Sequence, residues 1–258
     1  MELFTLGTGA AWPDADRSAP AFLVKHAGTP YLIDCGGGTC HQLMKVGCKP
    51  SELTHILITH IHIDHCVEFP SLVFGAYLTG KSGEYKVYGP EGVAHFTKSI
   101  FNDTYDFAKA MMKNLRKIDI DIKTKEFSTG IILKENELVI DSIPVEHGIN
   151  TLAYRFTAGG KKLVFSSDTA PCANLIKISK DADVLVIECS FPESFGIKNG
   201  HCIPSQVGKI AEEANVNSVI LTHLFPVCKD KENEMIAEIK KYYHGEVTVA
   251  EDLQRFII

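Results

Sequence analysis

Thr59-His60-Ile61-His62-Ile63-Asp64-His65 puts three imidazoles and one carboxylate into six consecutive positions, directly behind the strand-like run His55 to Ile58. Packing does not explain that density, but a metal does, because neutral imidazole nitrogen and carboxylate oxygen are ligands for Zn²⁺ and related divalent ions. In an extended segment residues two apart project to the same side, so His60 and His62 can clasp one ion. Asp64 and His65 fall outside that alternation, and a turn of the chain there would aim them at a second ion roughly 3.5–4 Å away. The competing reading is a polar strand end, with His60 and His62 facing water and Ile61 and Ile63 facing the core.

Three further ligand-capable side chains follow apolar strands in the same way: His147 in Pro144-Val145-Glu146-His147-Gly148, Asp168 in Phe165-Ser166-Ser167-Asp168-Thr169, and His223 in Ile220-Leu221-Thr222-His223. Each alone is an ordinary loop residue; with the first four they make a set of seven. Glu188, behind Val184 to Ile187, reads equally as a carboxylate supporting such a site and as a plain strand-end acid. Cys66 adjoins His65 but reads as a packing thiol, the oxygen and nitrogen set being already complete. His26, His41, His55, His95 and His244 have no motif around them and read as surface or satisfied core residues.

Outward from these positions, Leu3 to Leu6, Ala21 to Val24, Tyr31 to Ile33 and Tyr85 to Tyr88 read as strands, with helices over Thr39 to Val46, Val67 to Leu78 and one or two within Glu91 to Leu115. A second strand-rich series follows at Lys117 to Phe127, Leu138 to Val145, Thr151 to Thr157 and Lys162 to Ser166. Short buried strands at Val184 to Ile187 and Ser218 to Leu221 then alternate with helices at Ser205 to Ala214 and near Lys231 to Tyr242. The chain thus repeats its plan, which suggests a two-sheet sandwich with helices outside. At 258 residues, 45% hydrophobic and 22% charged, without linker or low-complexity tract, it reads as one domain over 1–258.

The net charge of −6 and pI near 6.0 leave no basic footprint for generic nucleic-acid binding. The N-terminus lacks a signal peptide's basic and apolar regions, no apolar run reaches the ~18 residues of a membrane span, and the eight cysteines form no C-x-x-C pair. The expectation is a soluble, cytoplasmic protein with reduced thiols and no membrane partner.

The whole pattern resembles the metallo-β-lactamase superfamily and, within it, the ribonuclease Z-like branch. The resemblance rests on Leu6-Gly7-Thr8-Gly9-Ala10 with Arg17, on Leu32-Ile33-Asp34-Cys35-Gly36-Gly37-Gly38, and on the H-x-H-x-D-H set with His147. Ser167-Asp168-Thr169, Gly200-His201, Leu221-Thr222-His223 and the closing Ala250-Glu251-Asp252 complete it. It implies an α/β fold, a four-layer αββα sandwich with the site along one edge. It also implies that His60, His62 and His147 hold one metal and Asp64, His65 and His223 the other, with Asp168 bridging. Asp34 would brace the metal loop by hydrogen bonds, a turn aspartate before glycines being the other reading. Asp64 and His201 would be the catalytic residues, His201 protonating the leaving oxygen. The branch has Ser or Thr after that histidine, where this chain has Cys202.

Two divalent ions, Zn²⁺ by preference with Mn²⁺ or Fe²⁺ accepted by the same ligands, would activate a bridging hydroxide for hydrolysis. Transfer-RNA-processing members insert a long arm between the equivalents of His147 and Asp168; here they are 21 positions apart. The early loop Trp12-Pro13-Asp14-Ala15-Asp16-Arg17-Ser18 is acidic where a nucleic-acid-facing loop would be basic. The favoured reading is therefore a phosphodiesterase for a small phosphodiester, such as a cyclic nucleotide or nucleotide fragment. Behind it stand a carboxylic-ester, lactone or sulfate-ester hydrolase, then a transfer-RNA 3′ endonuclease or a non-catalytic binding protein. Pairing into a homodimer is implied by the resemblance alone.

Overall fold

Side-chain alternation along the strands sets the layers. A computed structural model describes residues 1–80, 83–101, 120–197 and 199–258. In β1 (Glu2–Gly7), β2 (Ala21–His26) and β3 (Thr29–Ile33), the residues Leu3, Phe22, Val24, Tyr31 and Ile33 turn to one face while Leu6, Leu23 and Leu32 turn to the other. With β4 (His55–Leu57), β5 (Gly83–Gly89), β6 (Ile120–Glu126) and the C-terminal β14 (Arg255–Ile257), these strands build one seven-stranded sheet in the order β14-β1-β2-β3-β4-β5-β6.

The second seven-stranded sheet has the order β13-β12-β11-β10-β9-β8-β7. Its strands are β7 (Gly130–Glu135), β8 (Leu138–Val145), β9 (Thr151–Ala158), β10 (Lys161–Phe165), β11 (Val184–Glu188), β12 (Ser218–Thr222) and β13 (Glu246–Val249). Each sheet is antiparallel over one half and parallel over the other, the parallel part running from β3 to β6 in the first and from β10 to β13 in the second. The repeated plan read from the sequence is therefore a repeated sheet topology.

Between the sheets lies a core that includes Tyr31, Tyr154, Phe156, Phe165, Val186 and Ile220. Aromatic rings cross it, Phe22 lying 5.4 Å from Phe165 and Tyr31 6.2 Å from Phe156. Each fully buried ring contributes about 1.5–3 kcal/mol of transfer free energy. The outer face of the first sheet is covered by α1 (Thr39–Lys45), the one-turn α2 (Ile63–Cys66), α3 (Phe69–Leu78) and α4 (Val93–Phe101), through Leu43, Phe69, Leu72 and Val93. The second is covered by α5 (Ala173–Ser179), α6 (Pro204–Glu213) and α7 (Glu232–Ile239), through Leu175, Val207, Ile210 and Met235. The result is the four-layer αββα sandwich of the metallo-β-lactamase fold.

Several elements differ from the sequence reading. The expected helix from Val67 starts at Phe69, because the Glu68 carboxylate accepts hydrogen bonds from the backbone N–H groups of Gly38 and Cys40 at 2.7 and 2.8 Å and is tied to that loop. Strands β7, β13 and β14 and helix α5 were not anticipated. β7 pairs with β8 across a two-residue turn, Asn136-Glu137, both with φ positive at 49° and 63°, the geometry that tight hairpins need. The expected helical stretch up to Leu115 and the start of the Lys117 strand fall partly outside the described residues. Among the described residues no helix is long and apolar enough to cross a membrane.

Candidate metal centre

Strand ends supply the site. His60 follows β4, His147 follows β8, Asp168 follows β10, Glu188 ends β11 and His223 follows β12. The parallel strands among these end along one edge of the sandwich, where chain ends leave a crevice. After β4 the chain bends at Thr59, is extended at His62 and then turns, the His65 N–H bonding to the His62 carbonyl at 3.0 Å, so that α2 carries Asp64 and His65 back toward His60. Close packing holds this turn: a Cβ at Gly36 would lie 2.2 Å from the Asp64 carbonyl oxygen.

All seven expected ligand residues meet there. Nε2 of His60 and Nε2 of His147 lie 3.0 and 3.1 Å from Nδ1 of His62. On the other side, Oδ2 of Asp64 lies 3.6 Å from Nε2 of His65 and 3.5 Å from Nε2 of His223. Asp168 stands between the two groups, 3.4 Å from His65 and 3.1 Å from His223 on one side, and 4.0 Å from His60 and 3.9 Å from His147 on the other. Nε2 of His65 and of His223 are buried without a hydrogen-bond partner. Buried nitrogens converging at such distances, two of them unsatisfied, fit divalent cations, which satisfy several lone pairs at once.

The same orienting device occurs twice. Asp34 Oδ2 contacts His65 Nδ1 at 2.7 Å and accepts the Thr59 hydroxyl at 2.8 Å; that hydroxyl oxygen, its proton committed, accepts from His60 Nδ1 at 3.0 Å. Across the centre, Glu188 Oε1 contacts His201 Nδ1 at 3.0 Å, and its Oε2 accepts the Ser190 hydroxyl at 2.6 Å, which in turn accepts from His223 Nδ1 at 2.9 Å. Each buried carboxylate thus fixes one histidine directly and another through a hydroxyl, holding the rings by Nδ1. His147 is fixed by a third acceptor, its Nδ1 donating to the Gly200 carbonyl at 2.9 Å. A Cβ at Gly200, whose φ is 78°, would meet that Nδ1 at 2.8 Å, so the glycine before His201 also shapes the His147 seat.

Charge states follow from burial set against neighbours. Burial pushes the His60 pKa far down and also lowers that of His147, which favours the neutral imidazole that a cation would need. Burial alone would raise the Asp168 pKa, but the charges of His223 and His65 outweigh it and hold the carboxyl well below its ordinary range. At His201 burial acts downward and the Glu188 hydrogen bond and charge act upward, with a net rise. The Cys66 thiol, pushed up to about 12 by burial, bonds to the His62 carbonyl at 3.2 Å and is a packing group.

The centre opens between two clefts. One, of about 730 Å³, is lined by the Trp12 to Ser18 loop and reaches Asp64; the other, of about 590 Å³, is lined by Glu146 to Leu152 and reaches His147. The loop is pinned by Arg17, bonded to Thr8 Oγ1 and the Ala250 carbonyl, and by Asp252, which accepts from Thr8 and Ser18. The flanking strings Gly7-Thr8-Gly9 and Ala250-Glu251-Asp252 are therefore one structural unit supporting the mouth.

Thr59 and Ser190 were not singled out from the sequence. A hydroxyl residue directly before His60, and another two positions after Glu188, are the signals that could have found them. Of the histidines set aside, His41, His95 and His244 are exposed and His55 is buried in the core.

The chain is 27% identical to ribonuclease Z of Methanothermobacter thermautotrophicus, over 98% of its own length and 95% of that protein. In fold it is similar to the metallo-beta-lactamase fold protein YhfI of Bacillus subtilis, with a TM-score of 0.83 at 22% identity over 99% and 98% of the two chains. It is also similar to the short form of human tRNase Z, with a TM-score of 0.78 at 23% identity over 100% and 99%. The family described as Anti-Pycsar protein Apyc1 matches residues 1–237. On this match and the clustered His and Asp residues, the chain is a metal-dependent hydrolase of the metallo-β-lactamase superfamily and belongs to the Anti-Pycsar protein Apyc1 family.

Proposed function

We propose that the chain is a phosphodiesterase acting on a small phosphodiester, a cyclic nucleotide or a nucleotide fragment. In this reading His60, His62 and His147 hold one divalent ion, Asp64, His65 and His223 hold the other, and Asp168 is shared. Bound there, a pair of such ions supplies hydroxide near neutral pH and offsets negative charge building on the attacked group.

The observation that carries the reading is His201. Its ring lies 5.2 Å from that of His147 and 5.6 Å from that of His223, and its Nδ1 is held by Glu188. Nε2 is thereby left to carry a proton beside the ligand cluster. Phosphodiester cleavage expels an alkoxide, a poor leaving group that gains most from a positioned acid, and against the downward pull of burial the Glu188 hydrogen bond and charge raise the His201 pKa, which favours the protonated form. Asp64, whose Oδ2 lies 3.5 Å from Nε2 of His223, lines the larger cleft.

Long RNA is a poorer fit. The stretch between His147 and Asp168, where a substrate-gripping arm would be inserted, is taken up by β9, β10 and their tight turn at Gly159-Gly160, and Asp14 and Asp16 stand on the mouth loop. The names of the relatives, ribonuclease Z and tRNase Z, are those of enzymes acting on RNA, the same bond class in a larger substrate.

The test is hydrolysis of bis-p-nitrophenyl phosphate against a p-nitrophenyl carboxylic ester and a lactone, with Zn²⁺ or Mn²⁺ added. Preference for the diester, abolished in His60→Ala, supports the reading, and cyclic nucleotides follow. Preference for the carboxylic substrates places the chain among esterases or lactonases.

A further inference from the structure

Hydroxyl residues stand directly before three of the ligand residues: Thr59 before His60, Ser167 before Asp168 and Thr222 before His223. The Thr59 hydroxyl is engaged by Asp34, but the Oγ atoms of Ser167 and Thr222 are buried, and among the described residues neither has a hydrogen-bond partner. Both residues line one cavity of about 20 Å³ behind the centre, where Phe22 and Ile33 of the first sheet face Phe165 and Val186 of the second. The buried carboxylates of Asp34, Asp168 and Glu188 stand in its wall. Three strand ends beside the centre turn through left-handed backbone, at Asp34 (φ 58°), Ser167 (59°) and His223 (57°), and all three residues line this same space. Such backbone is disfavoured outside glycine and persists where surrounding contacts hold it in place.

We propose that this cavity binds a single internal water, held by Ser167 and Thr222, which locks the turns that present Asp168 and His223 to the metals and makes the two hydroxyl residues positioning residues of the centre. This rests on Asp168 and His223 as metal ligands and holds whichever ester is cleaved. The volume of about 20 Å³ suits one water, which needs roughly 10–15 Å³ and about two to four polar partners, and excludes anything much larger. A buried hydroxyl without a partner carries the whole desolvation penalty, and two of them in one small space are satisfied together by a molecule that both accepts and donates. Water takes a hydrogen bond from each hydroxyl and turns its protons toward the carboxylates of the wall, the orientation that their charge favours. A cation would need several carboxylate oxygens directed inward, but those of Asp34 and Glu188 are already engaged by backbone and side-chain donors. The link also has a place to fill in the fold. β11 separates β10 from β12 in the sheet, so the turns carrying Asp168 and His223 lie on strands that do not pair, and a water between Ser167 and Thr222 joins them across the end of β11.

The experiment is a high-resolution crystal structure of the metal-loaded protein, joined to thermal unfolding and chelator competition for Zn²⁺ on Thr222→Val, Thr222→Ser and Ser167→Ala. One isolated density peak is expected within about 2.5–3.0 Å of both hydroxyl oxygens. Thr222→Val keeps the β-branched shape that β12 packs and removes only the hydroxyl. With a water bound there, Tm should fall by about 2–4 °C and Zn²⁺ affinity by about 10- to 100-fold, Ser167→Ala should act in the same direction, and Thr222→Ser should restore the affinity. A dry cavity reverses the sign, because replacing an unpartnered buried hydroxyl by a methyl is stabilising. A raised Tm in Thr222→Val, or no density in the cavity, therefore overturns the proposal, as does a peak ringed by carboxylate oxygens at the shorter distances of a cation. Lowered Tm with unchanged Zn²⁺ affinity in both Thr222→Val and Ser167→Ala overturns the positioning role. None of these readings needs turnover: two ions bound beside a dry cavity would reject the water and leave the metal centre and its hydrolytic chemistry standing.

Discussion

Oδ2 of Asp34 lies 2.7 Å from Nδ1 of His65, and its Oδ1 accepts the Thr59 backbone N–H at 2.7 Å, so one buried carboxylate joins the turn before α1 to the strand end that carries the histidines. Asp34 itself sits in left-handed backbone, with φ of 58°. Asparagine tolerates that conformation, so Asp34→Asn preserves the loop while removing the charge. Metal affinity should fall about 10- to 100-fold, read by competition with a chromogenic chelator. An unchanged affinity would remove Asp34 from the support of the centre.

Glu188 sets the proton on His201. Burial would lower the His201 pKa, but the Glu188 hydrogen bond and charge raise it, so the protonated acid persists to higher pH and kcat should fall only as pH rises through that raised value. In Glu188→Gln the alkaline limb of the profile should move to lower pH. His201→Ala should cost about 10²–10⁴-fold in kcat on a diester with an alkoxide leaving group and much less with p-nitrophenolate, which departs as a stable anion. Equal losses on both substrates would contradict a role as acid.

Asp168 faces both ligand groups, within 4.0 Å of four histidine nitrogens. Asp168→Ala should lower metal occupancy at both positions and reduce turnover by more than about 100-fold, since supporting residues alone account for 10- to 100-fold. Metal analysis and kinetics on the same preparation check this, and a fully active variant would refute the shared role.

The strands that end at the site were legible because they are apolar runs closed by turn residues. Leu138–Val145 was placed to the residue, and β11 and β12 to within one. β7 was not, because it is an edge strand whose exposed Ile131 and charged Lys134 and Glu135 blur the alternation, with a bulge between Ile131 and Leu133. β13 and β14 are edge strands of four and three residues, and α5, at seven residues, is too short to establish a helical period. The histidine and aspartate positions could be proposed from residue type, from the density of His60 to His65 and from their place after apolar strands, and their grouping from the family resemblance. The hydroxyl links could not, because Thr59 meets Asp34 across 25 positions and Ser190 meets His223 across 33.

His55 provides a stability prediction away from the chemistry. It is buried, its ring 5.1 Å from Tyr31 and stacked 6.1 Å from Tyr88, and burial lowers its pKa below the ordinary 6.5 despite Glu135 nearby. Between that lowered value and 6.5 the unfolded chain binds more protons than the folded one, so stability rises with pH in this window and is lost as pH falls through it. His55→Phe should flatten the acid side of a Tm-against-pH curve below about pH 6.5. An unaltered slope would show that His55 titrates alike in both states.

A two-ion centre held by seven side chains and driving hydrolysis should be restored in step with the metal supplied to it. Metal-free protein is titrated with Zn²⁺ or Mn²⁺ while diester hydrolysis is followed, with bound metal counted at each point. The expected result is a negligible rate without metal and a plateau at two ions per chain, absent in His60→Ala. Full activity in metal-free protein, or binding of well under one ion per chain after reconstitution, would contradict it.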